Sequence, residues 1–458
     1  MDNIVNVIYN ILYQNLSWLK YQGTLSVYLC GKCVIIKATN ICFKKSKKYL
    51  YCLYTKNFGK FSDLMNCYTQ KIYDKLPNPD GPSVLVPNNA PINILNKQKG
   101  MGYAAFFQGD DSDISANIHT NCWGSAGRND VNVFKNLGCD IVRLYDWNPA
   151  KSHPQFMDYC NSNNIKVAIP VSNYFLGFYG TPYSANTFYT TEIPKLLDPT
   201  TKNYIPSVGI ILIGNEPELT GSANWAATIV QAMTDLLQVE QANGVQGSLP
   251  QISVPVSFGI QGSEGPAIAY LKAIQTAMQS ASDPVQQLLT GRYIPSFNTT
   301  NPGADISNLF YSDFKAFSVN PKFLITEYSP TPTSPGPFST VSSIQTRATG
   351  PAPNTNLLEQ LTWYFNAADE ASQNCQGVFI FQYLDQPQKQ PPESLFGFTQ
   401  YTKAQLPTNS CTPPPGTCLD CSYTTCPKQA LLDVIYQQYT GNAGSFPSAS
   451  NFDLTKCN

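Results

Sequence analysis

Short apolar runs punctuate the chain from residue 100 onward, each bounded by polar or turn-forming residues and separated from the next by a stretch of helical spacing. Runs this short, rich in β-branched and aromatic residues, read as fully buried strands. They predict eight strands: Gly100–Phe107, Asp140–Trp147, Lys166–Asn173, Val208–Asn215, Ile252–Phe258, Arg292–Asn298, Phe323–Thr326 and Gly377–Tyr383. Helices are expected between them at Asp130–Leu137, Pro154–Asn161, Asn224–Asn243, Pro266–Ser280, Ala304–Phe317 and Asn356–Ala371, with a closing helix at Lys428–Gln438. The third crossover reads as a longer loop containing Thr191–Leu197. In Asn224–Asn243, Trp225, Ile229, Met233, Leu236 and Leu237 form a core-facing stripe.

Strands that are apolar throughout suit a parallel sheet covered on both faces. The alternation predicts an α/β fold, a (β/α)8 TIM barrel over 96–400. The rival, an open doubly wound sheet, carries a Gly-rich phosphate turn after its first strand. Here Gly100-Met-Gly102 begins the first strand instead.

Two runs end in a glutamate: Ile210-Ile211-Leu212-Ile213-Gly214-Asn215-Glu216 and Phe323-Leu324-Ile325-Thr326-Glu327-Tyr328. In a barrel both carboxylates sit on the C-terminal rim, where catalytic groups are placed. Paired carboxylates are the equipment for glycoside cleavage, and the retaining mechanism needs them about 5 Å apart. The other strand ends add Tyr103, Arg143, Tyr145, Asp146, Trp147, Asn173, Asn215, Tyr328, Gln382, Tyr383 and Asp385. Amides and carboxylates match sugar hydroxyls, and aromatic rings match the apolar face of a pyranose. Arg143 is a fixed cation able to keep Glu327 ionised. Asn215 is a candidate partner for the sugar 2-OH. No metal or other cofactor is expected.

The residues carry a resemblance. Gly214-Asn215-Glu216 on strand four with Thr326-Glu327 on strand seven resembles the clan of retaining barrel glycosidases known for Asn-Glu at strand four. Cys139-Asp-Ile-Val-Arg-Leu-Tyr-Asp-Trp-Asn-Pro149 resembles the second-strand motif of family 17 β-1,3-glucanases, and the run from His153 to Cys160 is similar to family 72 β-1,3-glucanosyltransferases of fungal walls. The likeness covers about residues 99–385. It implies Glu216 as acid/base, Glu327 as nucleophile, Arg143 and Asn215 as their supports, and a β-glucan polysaccharide as partner. Tyr103, Tyr145, Trp147, Asn173, Tyr328, Gln382 and Tyr383 are expected to bind substrate.

The chain departs from the pattern in three places. Tyr328-Ser329-Pro330 follows the nucleophile where plant-type family 17 enzymes have a Gly-Trp-Pro turn. The sixth strand lacks a clear Asn-x-Tyr signature, so Tyr293 or Phe297 is expected to stand in. Gln108–Gly124, with its Asp residues, His119 and Trp123, is either a solvated loop or one wall of a glycan groove. His153 is expected to be a helix-capping or loop residue rather than a catalyst.

Charge and cysteines divide the 458 residues further. Residues 1–99 hold 13 Lys, no Arg, 4 Asp and no Glu, so +9 of charge precedes a body at −10. The lysines are interleaved with Tyr, Ile and Cys and form no nucleic-acid-binding motif, so no nucleic-acid partner is expected. The abrupt shift across the Pro77–Pro91 linker suggests that residues 1–95 do not belong to the mature enzyme, and no clean signal sequence opens them. No transmembrane stretch is present in the sequence, and a monomer is expected. Fourteen cysteines, five of them crowded into the Cys-rich segment 401–458, favour disulfides in an oxidising compartment over a zinc site built on Cys30-Gly-Lys-Cys33 or Cys418-Leu-Asp-Cys421. Asn15-Leu-Ser and Asn298-Thr-Thr fit the N-glycosylation pattern. The expectation is a secreted or cell-wall glycosidase or transglycosylase. Its alternatives are a same-clan enzyme on β-mannan or β-1,4-glucan, and a non-catalytic glycan-binding wall protein.

Overall fold

The computed structural model describes residues 23–29, 32–38, 97–104, 113–258, 266–329, 353–384, 396–401 and 425–456. The Pro77–Pro91 linker, Asn15, Cys411–Cys421, Asp385 and residues 108–112 of the insertion lie outside the described residues. Two compact units divide the chain at Val84 and Leu85. Within Met1–Val84, strands β1 (Gly23–Leu29) and β2 (Lys32–Ala38) pair antiparallel.

In Leu85–Asn458 the expected alternation is present. Strands β3 (Gln98–Gly102), β4 (Ile141–Arg143), β5 (Lys166–Val171) and β6 (Val208–Ile213) pair in parallel, in that order. The fifth barrel strand is split at Val254. Its first half, β7 (Gln251–Ser253), pairs with β6, and its second half, β8 (Pro255–Ser257), pairs with β9 (Ser296–Thr299). Pro255 has no N–H to give to a ladder, which accounts for the break. From β9 the sheet continues through β10 (Phe323–Tyr328) and β11 (Cys375–Ile380) back to β3, closing the ring. The fold is a (β/α)8 barrel.

The crossovers are α1 (Asp130–Leu137), α2 (Pro154–Ser162), α3 (Ala185–Glu192), α4 (Trp225–Ala242), α5 (Pro266–Gln279), α6 (Tyr311–Phe317) and α7 (Pro353–Asn366). Helix α8 (Gln429–Thr440) packs against α7 and α1 and closes the outer ring. The stretch read as a loop around Thr191–Leu197 is the end of α3 and a 3-10 turn, Ile193–Leu196. Its buried Phe188, Tyr189 and Ile193 supply the packing that the sequence pattern understated.

Inside the barrel, Ile141, Ala168, Ile210, Leu212, Ile294, Leu324 and Phe379 form a separate apolar cluster, each fully buried or nearly so. A buried Phe contributes about 1.5–3 kcal/mol. The Phe379 ring explains Gly100: a Cβ there would lie 2.4 Å from its Cδ1. Strand side chains alternate between faces. Arg143, two residues past inward-facing Ile141, therefore points into the upper barrel.

Three thiols, Cys139, Cys160 and Cys375, are free and buried. Burial raises all three well above the ordinary thiol value, making them inert packing groups. Cys122 and Cys426 are disulfide-bonded. Among the described residues no helix is long and apolar enough to cross a membrane.

Candidate active site

The C-terminal end of β6 is forced into a sharp turn. Gly214 and Glu216 both adopt left-handed backbone, at φ 76° and 48°. Glycine adopts it freely; a glutamate held there costs of order 1–3 kcal/mol. Asn173, at the end of β5, offsets this by clamping the turn. Its Nδ2 donates to the Asn215 carbonyl at 2.7 Å, and its Oδ1 accepts the Asn215 N–H at 3.0 Å. The Glu216 N–H donates to the Pro255 carbonyl at 2.8 Å. The local strain is thus overdetermined by neighbouring strands, and it fixes where Glu216 points.

Arg143 is the hub of the site. Its side chain is 1% exposed, and its Nη1 lies 3.0 Å from Glu327 Oε1. The same nitrogen donates to the Thr326 carbonyl at 2.6 Å and to Asn298 Oδ1 at 3.1 Å, while Nη2 donates to Asn215 Oδ1 at 2.6 Å. Asn298 then turns its Nδ2 toward Asn215 Oδ1 at 3.0 Å and Glu216 Oε1 at 3.2 Å. Thr326 Oγ1 donates to Asn298 Oδ1 at 3.0 Å. A continuous relay, Glu216–Asn298–Arg143–Glu327, joins the two carboxylates across strands six, two and seven.

Tyr145 lies under this relay, with the Arg143 guanidinium 4.6 Å from its ring centroid. Burial, opposed by the Arg143 charge and reinforced by Glu327 and Glu216, holds its phenol well above the usual value. It stays protonated, a neutral donor beside two carboxylates. Its hydroxyl needs the space left by Gly102, where a Cβ would come within 2.9 Å of it.

A cavity of about 800 Å³ opens beside Arg143 and Asn215, lined also by Tyr145, Asp146, Asn173 and Tyr174. Tyr174 and Tyr179, both on its lining, are 57% and 73% exposed. Asn173 Nδ2 donates to the Tyr179 hydroxyl at 3.3 Å. Tyr179 has positive φ, 66°, so its ring is presented from a strained turn. Among the described residues no cluster of three or more His, Cys, Asp or Glu is arranged to hold a metal.

Several expected sugar contacts are elsewhere. Tyr103 and Tyr383 are fully buried and both donate to Asp130 on α1, at 2.7 and 2.9 Å. Tyr328 is 2% exposed, with its hydroxyl 3.5 Å from the Asn356 carbonyl of α7. Trp147 donates to buried Glu192 at 2.7 Å and stacks on His153 at 3.9 Å between ring centroids. These four rings pack sheet against helix, or loop against helix, and none of them lines the cavity beside Arg143. Gln382 is fully buried at the end of β11, and neither side-chain amide atom finds a partner among the described residues. Phe381, which the sequence reading passed over, meets the Tyr145 ring edge-on at 5.7 Å.

The sixth-strand expectation is corrected. Tyr293 and Phe297 are 3% and 0% exposed and belong to the outer core. Asn298, one residue on, faces inward with Ser296 and supplies the amide of the relay. The glycosylation pattern at Asn298 is corrected by the same fact, because its 6% exposure and its bonds leave no room for a glycan. The described part of the insertion, 113–124, is largely packed, and none of it lines the cavity beside Arg143. Asp113 is fully buried, taking bonds from Ser115, the Asn148 N–H and His153 at 2.7–2.8 Å. Trp123 packs edge-on against Phe156 of α2. His153 stands at the N-cap position of α2, as expected.

No protein-family profile and no curated protein matches the chain. Among solved structures it is similar to Saccharomyces cerevisiae Gas2. Gas2 in complex with compound 8 aligns at 12% identity and a TM-score of 0.46, over 80% of this chain and 71% of that one. A Gas2 variant complexed with laminaritetraose and laminaripentaose aligns at 11% identity and 0.44, over 78% and 69%. Likeness at this level carries no argument about the site, whose reading stands on its own geometry.

Proposed function

We propose that the protein is a retaining glycoside hydrolase or transglycosylase acting on β-glucan, β-1,3-linked by the second-strand resemblance. The relay that joins Glu216 to Glu327 through Asn298 and Arg143, beside a tyrosine-lined cavity, is the observation that carries this reading.

In this mechanism Glu327, paired with Arg143, attacks the anomeric carbon. Glu216 gives its proton to the leaving oxygen, and a glycosyl-enzyme ester forms. Glu216, now ionised, takes a proton from water or a sugar hydroxyl as that oxygen attacks, and Glu327 leaves. Water gives hydrolysis; a second glucan end gives transfer. Charge on the ring oxygen and anomeric carbon develops against the Glu327 carboxylate, while Tyr145 and the Asn215–Asn298 amides hold both acids in place. Tyr174 and Tyr179 offer flat faces for pyranose rings farther along the cavity. The bonded state of Cys122 and Cys426 supports a secreted or wall location. Residues 1–95, the barrel 96–400 and the segment 401–458 are proposed as the working divisions, the first lying outside the mature enzyme.

Incubating the full chain with laminarin and sizing the products tests the proposal. Shorter products indicate hydrolysis and longer ones transfer. Glucan that binds but stays intact would support the lectin-like alternative and defeat the enzymatic one.

A further inference from the structure

Two buried carboxylates that the reaction above does not use stand behind one side of the cavity. That side is the loop 144–150 after β4, from which Asp146 and Asn148 line the cavity. Trp147, between them, is turned away and buried. Its Nε1 donates to Glu192 Oε2 at 2.7 Å, and its ring stacks on His153 at 3.9 Å between centroids. His153 Nε2 lies 2.8 Å from Asp113 Oδ2, which also accepts the Asn148 N–H at 2.8 Å. A chain of contacts, Asp113–His153–Trp147–Glu192, thus runs behind the loop. It holds the loop by one side chain and by the backbone of the next residue.

Glu192 is also the last residue of α3, and α3 gives Thr187 and Phe188 to the same cavity. Its Oε1 accepts from Lys195 Nζ at 2.7 Å, and that ammonium donates as well to the Pro149 carbonyl of the loop at 3.3 Å. One carboxylate therefore ties α3 to the loop twice, through the indole and through the ammonium. Asp113 and Glu192 are both buried. Charges at that depth are costly unless bonded, and well-packed apolar groups would stabilise a fold as well. Apolar groups do not supply direction, whereas hydrogen bonds to a carboxylate fix where their donors sit. Here the donors belong to the loop whose other face lines the cavity.

We propose that Trp147 and Glu192 are positioning residues that set the spacing between two sides of the cavity, and with it the grip on glucan units beyond the one under attack. This rests on reading the cavity as the path of a β-glucan. Neither Glu216 nor Glu327 is on the cavity lining. Its sides therefore act on binding of the rest of the chain and not on the bond being cut. Asp146 and Asn148 offer hydrogen-bonding groups to sugar hydroxyls from the loop, and Thr187 offers one from α3.

The test compares the full chain with Trp147→Phe and Lys195→Met. Phenylalanine keeps a ring against His153 and removes the indole donor. The Lys195 side chain is 44% exposed, so its replacement loosens the second tie without opening the core. kcat and KM are measured on laminari-oligosaccharides of increasing length, with the folded fraction read from far-UV circular dichroism. KM for the longest oligosaccharides is expected to rise about tenfold in Trp147→Phe and about threefold in Lys195→Met. kcat should stay within about twofold, and KM for the shortest oligosaccharide that is cleaved should move little. Losses equal at every chain length, or a fall in rate that only follows the folded fraction, would reduce the network to fold stability and overturn the proposal. If Trp147→Phe does not fold, an unchanged KM for long chains in Lys195→Met overturns it alone. A wild-type chain inert on every laminari-oligosaccharide would refute the β-glucan reading, and the proposal with it.

Discussion

Replacing Arg143 by methionine removes the hub of the site while keeping much of its bulk. The guanidinium is almost wholly buried, and it serves Glu327, Thr326, Asn298 and Asn215 together. Methionine satisfies none of these acceptors. The Glu327 side chain, only 16% exposed, loses the cation 3.0 Å away. Breaking a buried pair by removing one partner costs about 3–5 kcal/mol, because the remaining charge has no compensation. The loss is measurable by urea denaturation of the full chain at neutral pH. Glu327 also loses its aim, and turnover is expected to fall about 100-fold or more, equivalent to about 2.7 kcal/mol of barrier. Arg143→Lys keeps the charge but not the planar fork, so it recovers part of the stability and little of the turnover. An Arg143→Met variant with wild-type stability and wild-type turnover would show that the relay organises nothing.

Tyr179→Ala should raise KM for long laminarin chains about fivefold with a smaller change in kcat, the loss expected for one stacked ring, about 1 kcal/mol; unchanged KM on every chain length would remove the cavity from the glycan path. Burial of Glu218, on the 3-10 turn Pro217–Thr220, pushes its carboxyl up to about 7 and makes stability depend on pH. Its carboxyl is neutral in folded and unfolded chains below the ordinary value of about 4.5, while between there and about 7 only the unfolded chain ionises. The folded state therefore loses stability as pH rises through that window, by at most about 3 kcal/mol. Denaturation at both ends of the window should show Glu218→Gln gaining on the wild type by this amount, and a constant difference would refute the burial account.

The barrel was legible because its longer strands, β5, β6 and β10 among them, are largely apolar on both faces, so length and composition marked them. The cationic and acidic parts of the site were legible too, since Arg143, Glu216 and Glu327 follow apolar runs and mark where strands end. The aromatic parts were not. A strand end presents one side chain inward and the next outward, and the sequence does not say which ring falls on which side. Tyr103 follows Gly102, which faces the Tyr145 hydroxyl, so Tyr103 turns out to Asp130. Tyr328 likewise follows Glu327 and turns toward α7. The same alternation held the missing signal for Asn298, which shares the inward face of Ser296 in the run Ser296–Thr299. A glycosylation pattern laid over that run concealed it. Tyr174 and Tyr179 stand on a loop whose left-handed turn has no periodic signature, so only the folded chain reveals them.

In the proposed reaction Glu327 becomes covalently glycosylated with Glu216 as its proton donor. Trapping with an activated 2-deoxy-2-fluoro-β-laminaribioside, followed by peptide mapping in a mass spectrometer, tests it most directly. One added disaccharide is expected on the peptide that contains Glu327, with slower labelling in Glu216→Gln when the leaving group needs a proton. Turnover of laminarin with no label on Glu327, or with the label on another side chain, would contradict it.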